Sequence, residues 1–160
     1  MRQSFFPYLP KDFIETEQGL IFAVVSYHPH HQKVGCFLRY IKDDNGWHKV
    51  DTEQANRLLE RHYPEFLYYS SQFDAAFHAV SVDKISHHHR PEQRLQHLLN
   101  QPATDPLEHK LHNIIAIFRQ YDIDTETIGL TGSMLIGQQK ATSDIDLVIY
   151  ARQAFHRCRE

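Results

Sequence analysis

Apolar residues recur along this chain in two rhythms. In the first half they come mostly in short alternating or β-branched runs, the period of a pleated strand. After residue 90 they recur every third or fourth position, the period of a helix. "DFIETEQGLIFAVVSYH" predicts two strands around Gln18-Gly19, and "KVGCFLRYIK" predicts a third. The third ends at "DDNGW", whose Asn45-Gly46 pair signals a hairpin. "DTEQANRLLERHY" predicts a helix capped by Asp51 or Thr52, with Ala55, Leu58 and Leu59 on one face. "EFLYYS" and "AAFHAVSVD" predict further strands. In "KISHHHRPEQRLQHLLN" the pattern changes to a helix beginning at Pro91, a favoured first-turn residue, and "QPATDP" reads as a linker. "LEHKLHNIIAIFRQYDID" is the most periodic segment, with a stripe of Leu107, Leu111, Ile114, Ile115 and Phe118. No internal repeat is present. The expected organisation is α+β: a β-rich region over 1–84, a helical connection over 85–126, and a separate motif over 127–160.

That last motif carries the chemistry. "TIGLTGSMLIG" predicts a short strand from Thr127 to Leu130, a turn at Thr131, Gly132 and Ser133, and a helix start. Gly132 lets the backbone bend and lets a phosphate come close. Ser133 is positioned to cap the helix, where free N–H groups attract an anion. Ten residues later "SDIDLVIY" predicts a strand with Asp144 and Asp146 on one face and Ile145 and Leu147 on the other. Two carboxylates side by side repel, and a divalent cation relieves that repulsion. Hard Mg²⁺ takes carboxylate oxygens and fills its other positions with water or substrate phosphate.

The run from Ile128 to Tyr150 resembles the signature of the DNA polymerase β-like nucleotidyltransferase superfamily: a hydrophobic residue, Gly-Ser, a spacer of about ten residues, then Asp-hydrophobic-Asp-hydrophobic. The wider chain is similar to bacterial and archaeal predicted nucleotidyltransferases in which a β-rich N-terminal region precedes this motif. The resemblance implies that residues 127–160 form the opening βαβ part of a nucleotidyltransferase-like mixed sheet. It implies that Gly132 and Ser133, with Ser143 beside the acidic pair, bind the phosphates of an NTP. It implies that Asp144 and Asp146 are the catalytic metal ligands, holding Mg²⁺ or Mn²⁺. It also implies a third carboxylate from a later strand. Fourteen residues follow Asp146, and "ARQAFHRCRE" reads as a basic helical stub, so that strand is not expected here. Glu160 is a poor substitute, because terminal residues are commonly disordered. Three explanations stay open: a fragment of a longer protein, an incomplete site, or completion by another chain, as in a homo-oligomer.

Composition narrows the remaining classes. With 160 residues and 41% hydrophobic content the chain can bury a sizeable core. A formal net charge of −3 gives no global attraction to nucleic acid or anionic membrane. Cys36 and Cys158 suggest reduced thiols rather than a disulfide framework, and no apolar run suits a signal or a membrane span, so a cytoplasmic protein is expected. Thirteen histidines include His28, His30 and His31, then His87, His88 and His89, with His109 and His112 on one helix. They lack cysteine partners at zinc spacing and read as solvated loop residues. Phe66, Tyr68, Tyr69, Phe73 and Phe77 read as core packing rather than base-stacking residues. Two function classes remain. One is metal-dependent transfer of a nucleoside monophosphate from an NTP to a nucleic acid, protein or small-molecule acceptor. The other is a regulatory or nucleic-acid-binding module that keeps the motif without turnover.

Overall fold

The computed structural model describes residues 7–28, 32–71 and 75–151. The two rhythms of the sequence become two compact units, divided between His88 and His89. The architecture is α+β, with antiparallel pairing wherever the register is defined and three α-helices.

In the first unit β1 (Phe13–Thr16), β2 (Leu20–His28) and β3 (Lys33–Asp43) form a meander, and β4 (Gly46–Lys49) folds back on β3 in the expected hairpin, with Asp44-Asn45 as the turn and Gly46 opening β4. β5 (Leu67–Ser70), β6 (Ala75–Ser81) and β7 (Ile85–His89) complete a seven-stranded sheet of order β5-β6-β3-β2-β1-β7, with β4 on β3. Alternation decides which face is buried. Val34, Cys36 and Leu38 of β3 join Ile14, Phe22 and Val80 in one core, which α1 (Thr52–His62) closes with Ala55 and Leu59. Asp51 is the helix cap. Its side chain accepts the Gln54 N–H at 2.8 Å, and Gln54 Oε1 accepts the Asp51 N–H at 3.0 Å, a reciprocal arrangement that satisfies otherwise orphaned donors.

Three expectations for this unit change. The histidine run is not a loop, because Ile85–His89 is a strand at the sheet edge. Edge strands tolerate polar side chains, and this one is specified by its partner β1 rather than by its own residues. Within it His88 Nε2 lies 2.7 Å from the Oδ2 of fully buried Asp12. Of the aromatics, Phe66 is in the core, whereas Tyr68 and Tyr69 of β5 are exposed. Phe73, His30 and His31 lie outside the described residues. Cys36 is buried, and burial pushes its thiol well above the usual range.

In the second unit α2 (Pro91–Leu99) and α3 (Pro106–Gln120) pack with β8 (Ile128–Thr131) and β9 (Asp146–Ile149). Leu107, Leu111 and Ile115 of the predicted stripe are buried, and Ile114 and Phe118 are half-buried. β8 and β9 pair antiparallel, Ile128 with Ile149 through Thr131 with Asp146. Between them lies a 3₁₀ turn, Gly132–Ile136, where an α-helix was expected. Gly137 stops it in the left-handed region at φ +69°. Among the described residues no helix is long and apolar enough to cross a membrane.

His78 shows how tightly the first core is specified. Its Nδ1 accepts the Leu38 N–H at 2.9 Å, so Nε2 carries the proton and donates to Asn56 Oδ1 at 2.7 Å. Burial, helped by the Arg39 charge, lowers its pKa from 6.5 to about 4. A histidine held neutral in the fold but free to protonate when unfolded gives stability that is full above about pH 6.5 and lost as pH falls towards 4. His78→Leu removes this titration and strands the Leu38 N–H, at a cost of roughly 1–3 kcal/mol. Urea unfolding across that pH range is expected to show a less stable variant at pH 7 with a flatter pH dependence. An unchanged slope would show that other groups control acid stability.

Candidate functional site

Of the candidate site residues, Gly132, Ser133 and Asp146 come together where β8 hands over to the 3₁₀ turn, whereas Ser143 and Asp144 lie in the loop that leads into β9. Hydrophobic burial fixes the strands first: Ile128 and Leu130 are fully buried, and Ile145 and Leu147 pack on the same core. That packing turns Asp144 and Asp146 outward, and both are exposed. The predicted alternation therefore holds in burial. Asp144, however, precedes β9 rather than lying in it, because ladder pairing begins at Thr131 with Asp146.

Register brings the acid to the turn. Asp146 is the pairing partner of Thr131, so its side chain stands beside the next residue, Gly132. Gly132 has φ +73°, and a Cβ there would lie 3.2 Å from Asp146 Cγ and 3.3 Å from its Cβ, and would overlap carboxylate Oδ2. Glycine is required twice over: for the left-handed backbone and for the room that the carboxylate occupies. A residue chosen as a phosphate cradle and a residue chosen as a metal ligand thus meet.

The other predicted residues have more modest roles. Ser133 lies inside the 3₁₀ turn, whose cap position is Thr131, and its carbonyl accepts the Gln138 N–H at 2.9 Å. The shift arises because the turn begins two residues earlier than a helix capped by Ser133 would. Ser143 is used by the loop: its Oγ accepts the Lys140 N–H at 2.8 Å while its own N–H donates to Lys140 O at 2.9 Å. This closed turn delivers the chain to Asp144. The loop is anchored on α3, where Gln139 Nε2 donates to Asp105 Oδ2 at 3.0 Å. Asp105 also caps α3. The Glu108 N–H, more than the Gln139 contact, holds its carboxyl below the usual range, and partial desolvation opposes both.

Two further side chains support this strand and turn through contacts that have no local sequence signal. Pro91 at the start of α2 abuts β8 so closely that a Cβ on Gly129 would lie 2.5 Å from Pro91 Cβ. One helical turn on, Arg94 Nε donates to Met134 O at 2.9 Å. Both contacts span about forty residues, which local patterns cannot reveal.

The donor set suits a hard cation bound through one or two carboxylates, with phosphate and water supplying the rest. Among the described residues no group of three or more His, Cys, Asp or Glu side chains is placed to hold a metal ion alone. Residues 152–160, including Cys158 and Glu160 and the predicted helical stub, lie outside the described residues.

No family model matches the chain, and no solved structure matches it. It is similar to the uncharacterized protein MJ1086 of Methanocaldococcus jannaschii, with 29% identity over 94% of this chain and 49% of the archaeal protein. The chain therefore spans about half the length of that relative.

Apposition of Gly132 and Asp146 has a measurable consequence. Gly132→Ala is expected to destabilise the protein by about 1–2 kcal/mol for the left-handed backbone alone, with the carboxylate overlap in addition. In an Asp146→Ala background the overlap is relieved. Chemical unfolding of the two single variants and the double variant should then give a coupling of about 0.5 kcal/mol or more. Strict additivity would show that the carboxylate does not stand against Gly132.

Proposed function

We propose that this chain carries the phosphate- and metal-handling part of a metal-dependent nucleotidyltransferase, which moves a nucleoside monophosphate from an NTP to an acceptor. The observation that supports this reading best is the seating of the Asp146 carboxylate against the Gly132 backbone. It puts a hard oxygen ligand beside a half-exposed glycine turn, an arrangement that suits a cation bridging protein and phosphate.

In this reading Asp144 and Asp146 hold Mg²⁺ or Mn²⁺, and the bound cation supplies charge neutralisation on the phosphates. Gly132 gives the half-exposed turn its left-handed bend and lets the Asp146 carboxylate stand against it, so that a phosphate would reach the turn through the cation that the acid holds. The Ser133 hydroxyl stands next in the turn as a neutral donor, and the Ser143 turn fixes where Asp144 enters. Such a site works by alignment and electrostatics more than by covalent participation. The acceptor class, whether nucleic acid, protein or small molecule, is set by surfaces beyond these residues.

A second reading rests on a specific observation. The described residues offer two carboxylates here, whereas holding two ions about 4 Å apart calls for more ligand charge. A module that binds nucleotide or nucleic acid and regulates without turnover fits that count.

Asp144→Asn and Asp146→Asn are each expected to weaken Mn²⁺ binding by ten-fold or more in titration calorimetry. Equal weak binding by wild type and both variants would remove the metal from the site. In a pyrophosphate-release assay with each NTP and a panel of hydroxyl acceptors, the 160-residue chain is expected to turn over slowly, since each 1.4 kcal/mol or so of lost charge stabilisation costs about ten-fold in rate. Fast acceptor-dependent release that Asp146→Asn abolishes would show that two carboxylates suffice.

A further inference from the structure

Arg94 is a half-buried cation at the candidate site that neither the motif nor its resemblance assigns. It lies on α2, far in sequence from the Gly132–Ile136 turn, yet two of its nitrogens address that turn. Nε donates to Met134 O at 2.9 Å. Nη2 stands 3.5 Å from the point where a Cβ on Gly137 would sit, beside the left-handed residue that ends the turn. Among the described residues Arg94 forms no ion pair, and its remaining N–H donors have no protein acceptor. Arg90, which precedes α2 by one residue, differs, since its Nε donates to Glu92 Oε1 at 2.8 Å.

A guanidinium has five donors in a planar fork and cannot give up its charge. Held half-buried with a single carbonyl as protein partner, it leaves most of its donors facing solvent, where an anion can exchange for water. The contact that is made also fixes orientation. With Nε pinned to the Met134 carbonyl, the Nη edge is pre-aimed, so little rotamer entropy remains to be lost on binding. The turn thereby has a carboxylate at its Gly132 end and a cation at its Gly137 end, a polarity that suits a polyphosphate bridged to the acid by a metal ion.

We propose that Arg94 binds a phosphate group of a polyphosphate ligand through its Nη edge, while its Nε contact to Met134 holds the turn in register. This assignment rests on the proposed nucleotide site, but it makes a claim of its own: Arg94 attracts the phosphate chain even without a metal.

The test uses sodium tripolyphosphate in EDTA and MgATP as separate probes, titrated against the full chain. Arg94→Gln keeps a donor for Met134 O and removes the charge, whereas Arg94→Lys keeps the charge and loses the fork. In EDTA, Arg94→Gln is expected to weaken tripolyphosphate binding by roughly ten-fold or more, the range of a charge-assisted hydrogen bond. Arg94→Lys should stay within about three-fold of wild type and raise the salt sensitivity of binding, because a point charge replaces a directional fork. Circular dichroism and the thermal midpoint report folding, and if Arg94→Gln fails to fold, Arg94→Met takes its place. Wild-type affinity in the charge-removing variant, equal losses in Arg94→Lys and Arg94→Gln, or no tripolyphosphate binding by wild type would each overturn the proposal. MgATP with Asp146→Asn separates the two claims. Loss of binding in Arg94→Gln but not in Asp146→Asn upholds Arg94 and removes the metal reading; the reverse pattern overturns the Arg94 assignment and leaves the metal reading in place.

Discussion

The contact on which the candidate site depends is a backbone pressed against a carboxylate. Thr131 pairs with Asp146 across the β8-β9 ladder, and Gly132 then bends into the left-handed region beside that acid. Because side chains on a strand alternate, a one-residue slip would turn Asp146 into the core and bring Leu147 or Ile145 to the turn. Register is protected by the apolar residues: Ile128, Leu130 and Met134 are fully buried, and Leu147 and Ile145 pack with them. The hydrophobic core of the second unit thus sets the position of the candidate polar site. α2 adds to that control from a distance. Pro91 fits against Gly129 and Arg94 holds the Met134 carbonyl, so helix, strand and turn form one framework.

Local chemistry was legible in the sequence wherever it decides the structure alone. The hairpin signalled by Asn45-Gly46, the Asp51 cap of α1, Pro91 opening α2 and the Leu107 to Ile115 stripe of α3 all form where composition and period point, the hairpin turn itself being Asp44-Asn45. The outward face of Asp144 and Asp146 follows from the same alternation that buries Ile145 and Leu147. What was not legible is decided by tertiary partners. The Ser86 to His89 run has no apolar alternation of its own and becomes a strand because β1 offers an edge. The stretch after Gly132 has apolar residues at helical spacing, yet a second left-handed glycine at Gly137 ends it within five residues as a 3₁₀ turn. His78 sat unnoticed inside a strand pattern, since its partners Leu38 and Asn56 lie 40 and 22 residues away. The contact of Arg94 with the Met134 carbonyl, 40 residues away, was hidden for the same reason.

The two units show different ways of treating polar groups. In the first, Asp12 and His78 are buried and satisfied by named partners, His88 for the one and Leu38 with Asn56 for the other. Buried polar groups with their hydrogen bonds met specify a core without reacting. In the second, Asp144 and Asp146 stay exposed and Arg94 keeps donors unassigned beside an open turn. These exposed carboxylates and the Arg94 donors are the polar groups on which the proposed binding site draws.

Paramagnetic relaxation by substoichiometric Mn²⁺, read residue by residue from amide resonances, tests the central claim most directly. If the Gly132 turn and the β9 acid form one cation site, the amides of Gly132, Ser133 and Asp146 should broaden first, and Asp146→Asn should abolish that broadening. Broadening centred on the exposed histidines His48 or His87, with the turn amides left sharp, would contradict the account.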